Sequence, residues 1–294
     1  MILEASSENL AHCAAALLRQ KLVVMPTETV YGLAGLARSS AANRQIYEVK
    51  SRPSENPLIV HVGSIDDAKK VASTWTDSAD QLTAAFWPGP LTIVLPTDSE
   101  LGTVAIRMPA HPVALRLLEL VGEPIVAPSA NVFTRLSPTR AEDVSSEISQ
   151  KVFAILDGGP CEVGIESTIV DCRRSDAVAI LRSGSISRAD IEQFIPVVDS
   201  DADVRVPGQY KRHYAPKIPV RLVEVPTPEA HGLTILSATI KQIPMSREPR
   251  AYAARLYAAL HQMEEMNPPE IEIQTPPRTS EWAAVWDRLN RMVG

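Results

Sequence analysis

The chain is poor in the features that announce several common chemistries. Its 294 residues hold only three cysteines, Cys13, Cys161 and Cys172, odd in number and widely spaced, with no C-x-x-C pair. That excludes a cysteine-built zinc site, a dithiol redox centre and a disulfide scaffold, and leaves three ordinary thiols. Aromatic residues make up 5% of the chain, and no apolar run approaches the roughly 18 residues of a membrane span. The amino terminus, MILEASSENL, lacks the basic and apolar regions of a secretion signal. A cytoplasmic protein with no membrane association is the expectation. There is no surplus of positive charge either: the formal net charge is -6, which argues against binding nucleic acid by wholesale phosphate neutralisation. Finally, no G-x-x-x-x-G-K-[ST] loop occurs, so any nucleotide must be held by side chains and other backbone amides.

What is present is a mixed α/β pattern. Hydrophobic residues at 45% and charged residues at 22% suffice for a buried core, and the length favours one large domain plus a smaller one. Ser6 and Ser7 offer N-caps for a helix carrying Leu10, Ala14, Leu17 and Leu18 at helical spacing. LVVM at 22–25 reads as a buried strand stopped by Pro26, and 41–49 reads as a helix behind Ser39 and Ser40. Strands follow at 58–62, 91–95, 104–107, 125–127, 152–156 and 167–170, and helices at 66–72, 77–86 and 112–121. Another helix is expected after Thr139, closed by a capping box through Glu142. Residues 1–195 thus form an α/β domain and 196–219, rich in proline and polar residues, a linker. Residues 220–294 form a small α/β unit with strands at 220–225, 233–238 and 271–274 and helices at 251–263 and 281–292.

Three clusters carry candidate chemistry. PTETVYGL, starting at Pro26, follows a buried strand at the place where open α/β sheets put ligands, although it also suits an ordinary strand-to-helix loop. In Lys50-Ser51-Arg52-Pro53, an extended backbone would project both cations to one side, a pair suited to polyphosphate; a solvated basic turn is the plainer alternative. Ser129 and Asn131, after the strand IVA, supply a hydroxyl and an amide that could read a nucleotide or simply form a turn.

Taken together, K-x-R, then S-x-N far downstream, with PTETVYGL ahead of both, resemble the YrdC-type threonylcarbamoyl-adenylate synthases. NPLIVHV, FWPGPLTIVL, TVAIRMP, DGGP and GIESTIVD extend the resemblance over nearly all of the first domain. PGQYKRHYAP in the linker is similar to the PG-x-x-x-x-HYAP signature of the long, two-domain form. The resemblance implies an open, twisted, mixed sheet with flanking helices, plus a smaller Rossmann-like α/β domain, here shorter than is usual for that form. It implies a nucleotidyltransferase that makes threonylcarbamoyl-AMP and pyrophosphate from L-threonine, bicarbonate and ATP with Mg²⁺, for use by a tRNA-modifying transferase, with room for a weak tRNA contact. Carried over residue by residue, Lys50 and Arg52 become the catalytic cations, and Thr29, His61, Arg107, Ala127 and Ser167 line the threonine pocket. Arg52, Asn56, Thr103, Ser129, Asn131, Ser137, Arg182 and Tyr214 hold ATP, and no residue is a metal ligand. Glu28 and Glu166 either tune the cations or cap turns. The linker from Val206 to Pro216 becomes a lid, with Tyr214 and His213 over the nucleotide.

Two alternatives stand beside this reading. One is the carbamoyl-adenylate chemistry of hydrogenase maturation, whose cysteine-rich companion segments are absent from the sequence. The other is an RNA-binding module with Lys50, Arg52, Lys211, Arg212 and Lys217 as its basic surface, against which the acidic balance weighs.

Overall fold

The computed structural model describes residues 1–200, 204–208, 210–235, 239 and 241–293. Its first domain is built on one mixed sheet of eleven strands. From edge to edge these are Ile2–Glu4, Ala154–Asp157, Val23–Met25, Gly32–Leu36, Ile125–Val126, Ile59–His61, Thr103–Arg107, Leu91–Pro96, Thr168–Asp171, Val178–Arg182 and Val197–Val198. Helices that the sequence marks with caps form where expected. Ser6 accepts from the Asn9 amide to start Ser7–Leu18, and Ser39 accepts from Ala42 to start Ser40–Lys50.

The two faces of this sheet are covered differently, and period-two alternation decides which side chain goes where. Val60, Ile106, Val126, Leu91 and Ile93 point into the main core with Ile46, Val49 and Leu82 from the helices Ser40–Lys50 and Asp77–Phe86. On the opposite face, Ser7–Leu18 and Pro112–Val121 cover the strands Ala154–Asp157, Val23–Met25 and Gly32–Leu36. Over the strands Ile59–His61, Thr103–Arg107, Leu91–Pro96 and Thr168–Asp171 the linker covers part of the same face. There Ile59, Val94, Ala105 and Ile169 pack under Val204 and Val206 of the linker.

Several local expectations require correction. Gly32–Leu36 is a fully buried strand, where the sequence reads as loop. Ile2–Glu4 and Val178–Arg182 are further strands, and Val197–Val198 extends the sheet into the span read as linker, pairing with Val178 and Ala179. The helix expected after Thr139 is a single 3₁₀ turn, Ala141–Asp143, and a four-residue helix, Ser146–Ser149. Its closing carboxylate is Asp143, not Glu142: Asp143 accepts from the Thr139 and Arg140 amides.

The second domain has four parallel strands in the order Val220–Val223, Ile271–Gln274, Gly232–Thr234 and Gln242–Pro244. The helices Pro249–Met266 and Ala283–Val293 pack on them through Leu256, Leu260, Val285 and Leu289. Of the strand expected at 233–238, residues 236–238 lie outside the described residues. Val30, Leu136 and Ile165 of the first domain and Tyr214 of the linker belong to this same apolar cluster, so the two domains share a dry interface.

Candidate active site

The strip of sheet face beneath the linker is the floor of a cavity. Its lining includes Thr29, Ile59, His61, Arg107, Ala127, Ser129, Ser167 and Arg182. Ile59 and His61 reach it because Val60 between them points the other way, and Arg107 pairs in register with His61. The cavity thus opens over the face of the strands, and the loops that follow Val23–Met25 and Ile125–Val126, where the sequence placed ligand contacts, add Thr29, Val30, Pro128 and Ser129 to its lining.

At one end, a chain of polar contacts orders the loop after Val23–Met25. The Thr27 hydroxyl donates to the Val30 carbonyl at 2.6 Å and lies 2.9 Å from the Thr29 hydroxyl. With the Thr27 proton committed, Thr29 must donate at that contact, and its oxygen accepts from Arg107 Nη1 at 2.8 Å. Arg107 Nη2 lies 2.6 Å from Glu28 Oε1, an ion pair shielded from water on both sides. Burial pushes the Glu28 carboxyl up, but the Arg107 charge and hydrogen bond outweigh it and leave the group below the usual carboxylate range. His61 Nδ1 lies 3.2 Å from the Ile59 carbonyl, which requires the proton on Nδ1 and leaves Nε2 an acceptor. Burial, with the Arg107 charge second, lowers the His61 pKa to about 3, so the ring is neutral. This end therefore offers acceptors at Thr29 and His61 beside a guanidinium.

The other end gathers cations. Lys50 is the last residue of its helix and Ser51 turns the chain at φ 51°, so Lys50 and Arg52 do not project side by side from an extended strand. The Lys50 ammonium is fully buried and donates to the carbonyls of Ser129 and, at 2.6 Å, Asn131. It pins the Pro128–Asn131 loop and keeps one N–H uncommitted to these two bonds. Burial first, then Arg52, lowers its pKa well below that of an ordinary lysine. Arg52 lines the cavity, donates to the Asn56 and Pro57 carbonyls, and is pushed down to about 10 by burial. Arg182 donates to the Ser167 carbonyl at 2.9 Å and to the linker carbonyl of Pro207 at 3.2 Å. Glu166 is the one carboxylate lining the cavity among the described residues, and its oxygens accept from Ser137, Tyr257 and Arg288.

The roof is the linker: Pro207, Gly208, His213 and Tyr214 all line the cavity. Tyr214 sits at φ 58°, a left-handed conformation that costs a bulky residue about 1 to 3 kcal/mol. Its hydroxyl is buried with no hydrogen-bond partner among the described residues, and a Cβ on Gly208 would clash with it, so only glycine fits there. Beneath this roof the cavity measures about 50 Å³ to the centres of water-sized spheres, room for a few waters.

Of the residues that the sequence nominated, Thr29, His61, Arg107, Ala127, Ser167, Arg52, Ser129, Arg182 and Tyr214 meet around this cavity. Lys50, Asn56, Asn131, Ser137 and Thr103 do not line it. Asn131 and Ser137 act one layer out, the first anchoring Lys50 and the second holding Glu166 at 2.5 Å. Both amide atoms of Asn56 and Oδ1 of Asn131 are buried without partners among the described residues. Thr103 opens its strand, four residues before Arg107. Sequence reasoning missed Arg288 and Tyr257 of the small domain, which donate to Glu166 at 2.9 and 3.1 Å. A signal existed, since Arg288 falls on the buried stripe of Val285, Leu289 and Met292, where a charge needs a reason.

Among the described residues, no group of three or more His, Cys, Asp or Glu could hold a metal, and no helix is long and apolar enough to cross a membrane.

Comparison with known proteins adds the following. A family model described as "Telomere recombination" matches residues 15–184, and one described as "Threonylcarbamoyl-AMP synthase, C-terminal domain" matches 186–294. The threonylcarbamoyl-AMP synthase of Bacillus subtilis is 34% identical over 99% of this chain and 95% of its own length. That of Pyrococcus abyssi is 42% identical over 72% of this chain and 67% of its own. The crystal structure of P. abyssi Sua5 complexed with L-threonine superposes with a TM-score of 0.89 at 32% identity, covering 100% of this chain and 97% of that one. A full-length HypF structure shares the fold alone, at 19% identity and a TM-score of 0.51, over 59% of this chain and 28% of that one.

Proposed function

Because the chain belongs to the threonylcarbamoyl-AMP synthase family, across both of its domains, we propose that this cavity joins L-threonine, bicarbonate and ATP into threonylcarbamoyl-AMP and pyrophosphate. The observation that carries the reading is the charge balance of the buried side chains around this cavity. Lys50, Arg52, Arg107, Arg182 and Arg288 are buried around it, against the buried carboxylates Glu28 and Glu166 and the half-buried Asp287. Such a surplus calls for an anionic ligand, because buried charge is tolerated when it is paired. The polyphosphate of ATP supplies that charge.

Each part then has a task. L-Threonine lies at the Thr29, His61 and Arg107 end, with its carboxylate toward Arg107 and its amine or hydroxyl protons toward the two acceptors. Ala127 and Ser167 close that pocket. Reaction of the amine with bicarbonate gives the carbamate, whose oxygen attacks the α-phosphorus of ATP as pyrophosphate leaves. Positioning and charge neutralisation dominate such a transfer. Arg52 and the remaining N–H of Lys50 face the phosphates, with Arg182 behind them. Lys50 also acts by fixing the loop that carries Ser129. Asn56, Asn131 and Tyr214, each with a buried polar atom that has no partner among the described residues, hold the nucleoside with Ser137 and Thr103 at the margin. Mg²⁺ brought in with ATP would add to the neutralisation of phosphate charge that Arg52 and Arg182 provide.

The cavity beneath the linker is smaller than a nucleoside triphosphate requires, so ATP enters with 206–216 raised, and that segment closes as a lid that shields the adenylate from hydrolysis. The product passes to a tRNA-modifying transferase, with at most a weak contact to tRNA itself, in the cytoplasm. The decisive experiment incubates the pure protein with ATP, Mg²⁺, bicarbonate and L-threonine and assays threonylcarbamoyl-AMP by mass spectrometry. Release of pyrophosphate with carbamoyl phosphate in place of threonine, and none with threonine, would overturn the reading.

A further inference from the structure

We propose that Arg288, on the closing helix of the small domain, is a positioning residue for the nucleotide half of the site: it keeps Glu166 off the phosphate-binding cations and seats the linker over them. The inference rests on the proposed function and extends it to a domain with no residue against the substrates.

The geometry is specific. Arg288 is fully buried, and its Nε bonds Glu166 Oε2 at 2.9 Å. Its Nη1 donates to the Ser183 carbonyl at 3.0 Å and to Asp287 at 2.5 Å. Glu166 Oε2 also accepts from Tyr257, and Oε1 accepts from Ser137. Both oxygens of Glu166 are thus engaged by Arg288, Tyr257 and Ser137, none of them a phosphate-binding cation. Yet Glu166 lines the cavity, and its charge is felt by Lys50 and Arg182. A buried carboxylate released from Arg288 would turn to the nearest cation, because leaving it unpaired is costly. It would then occupy Arg182 or Lys50 in place of a phosphate.

The same helix holds the linker at three points. The Arg291 side chain donates to the Tyr210 carbonyl at 2.7 Å, the Arg291 carbonyl accepts from the His213 amide at 3.0 Å, and the Arg288 guanidinium lies 4.9 Å from the centre of the Tyr214 ring. That last contact is within cation–π range and supports Tyr214 in its left-handed conformation. An interface that needed only adhesion would be served by an apolar side chain, since a buried ion pair is a poor source of stability. A charge placed here acts on charge.

The test separates positioning from simple packing. Arg288→Met, similar in length and apolar, should raise the KM for ATP on the order of 10-fold while the KM for L-threonine stays within about 2-fold, because no bond links Arg288 to Thr29, His61 or Arg107. Removing the second charge as well, in Arg288→Met with Glu166→Gln, should recover much of the ATP effect, since the stray carboxylate is gone. Equal rises in both KM values, an unchanged ATP KM in the folded variant, or a double variant worse than the single would each overturn the inference. Should Arg288→Met fail to fold, Tyr257→Phe removes one hydroxyl donor from Glu166 and should raise the ATP KM a few-fold; no change there overturns it equally. A wild type that forms no adenylate would sink the proposed function, whereas a wild type that forms it while these variants bind ATP normally sinks only the role of Arg288.

Discussion

Mild acid should destabilise this protein through two histidines that stay neutral when folded. His61 and His213 are both buried, and burial lowers each pKa from 6.5 to about 3. In the unfolded chain both take up a proton below pH 6.5, so the unfolded state binds more protons and stability falls as pH drops from there toward 3. Between pH 7 and pH 5 each histidine then removes about 2 kcal/mol, and the pair about 4 kcal/mol, a large share of a typical folding free energy. Glu28 and Glu166, whose carboxyls are lowered, lose their contributions only below the ordinary carboxylate range, so they scarcely enter this window. The assay is urea unfolding at both pH values for the wild type, His61→Gln, His213→Gln and the double variant. Each substitution should shrink the drop between the two pH values by about 2 kcal/mol, whatever it does to stability at pH 7. Comparing each variant with itself cancels the pH-independent cost of the substitution, and comparing the drops between proteins cancels the other titrating groups, including His111. If all four proteins lose the same stability between pH 7 and pH 5, the buried, uncharged state of these rings is refuted.

Other expectations concern the reaction. Arg52→Ala should slow adenylate formation about 10² to 10³-fold, the cost of removing a preorganised charge contact from a water-excluded site, and steady-state pyrophosphate release would measure it. Valine should be a far poorer substrate than threonine, by more than the ~10 to 200-fold worth of a methylene, with serine the closer competitor; equal kcat/KM for valine would remove the polar contact to the hydroxyl. ATP with threonine should protect the Lys211 and Arg212 bonds from trypsin, and Tyr214→Ala should lower turnover without unfolding the protein, although loss of a fully buried ring lowers its melting temperature. Cleavage indifferent to ligands would reduce the linker to a tether.

Much of this architecture is legible in the sequence, and what escapes has identifiable physical causes. The helices begin at Ser6 and Ser39 because a cap is a local event, written in one side chain and one amide. Strands with a branched, apolar text, such as Leu91–Pro96, also declare themselves. Gly32–Leu36 does not: buried on both faces, it has no alternation, and its two glycines imitate a turn. The cavity residues Thr29, His61, Arg107 and Arg182 were accessible through motifs, but their arrangement on a sheet face depends on register, which no local pattern specifies. Lys50 shows the difference most clearly. Its helix runs to its own position and a left-handed Ser51 then redirects the chain, so the side-by-side projection of Lys50 and Arg52 never arises. The contacts of Glu166 with Arg288 and Tyr257 span 122 and 91 residues, beyond the reach of any spacing argument.

The strand Ile59–His61 and its neighbour Thr103–Arg107 serve two masters at a spacing of one residue. Val60 and Ile106 answer to the packed core behind them, while Ile59, His61 and Arg107 answer to the cavity in front. A slip of one position would exchange the two sets, driving a histidine and an arginine into hydrocarbon and offering the substrates a wall of valine and isoleucine. Correct folding and chemical competence are therefore a single event here. A misregistered molecule would be discarded as unstable before it could be a poor enzyme, so quality control of the fold doubles as proofreading of the catalyst.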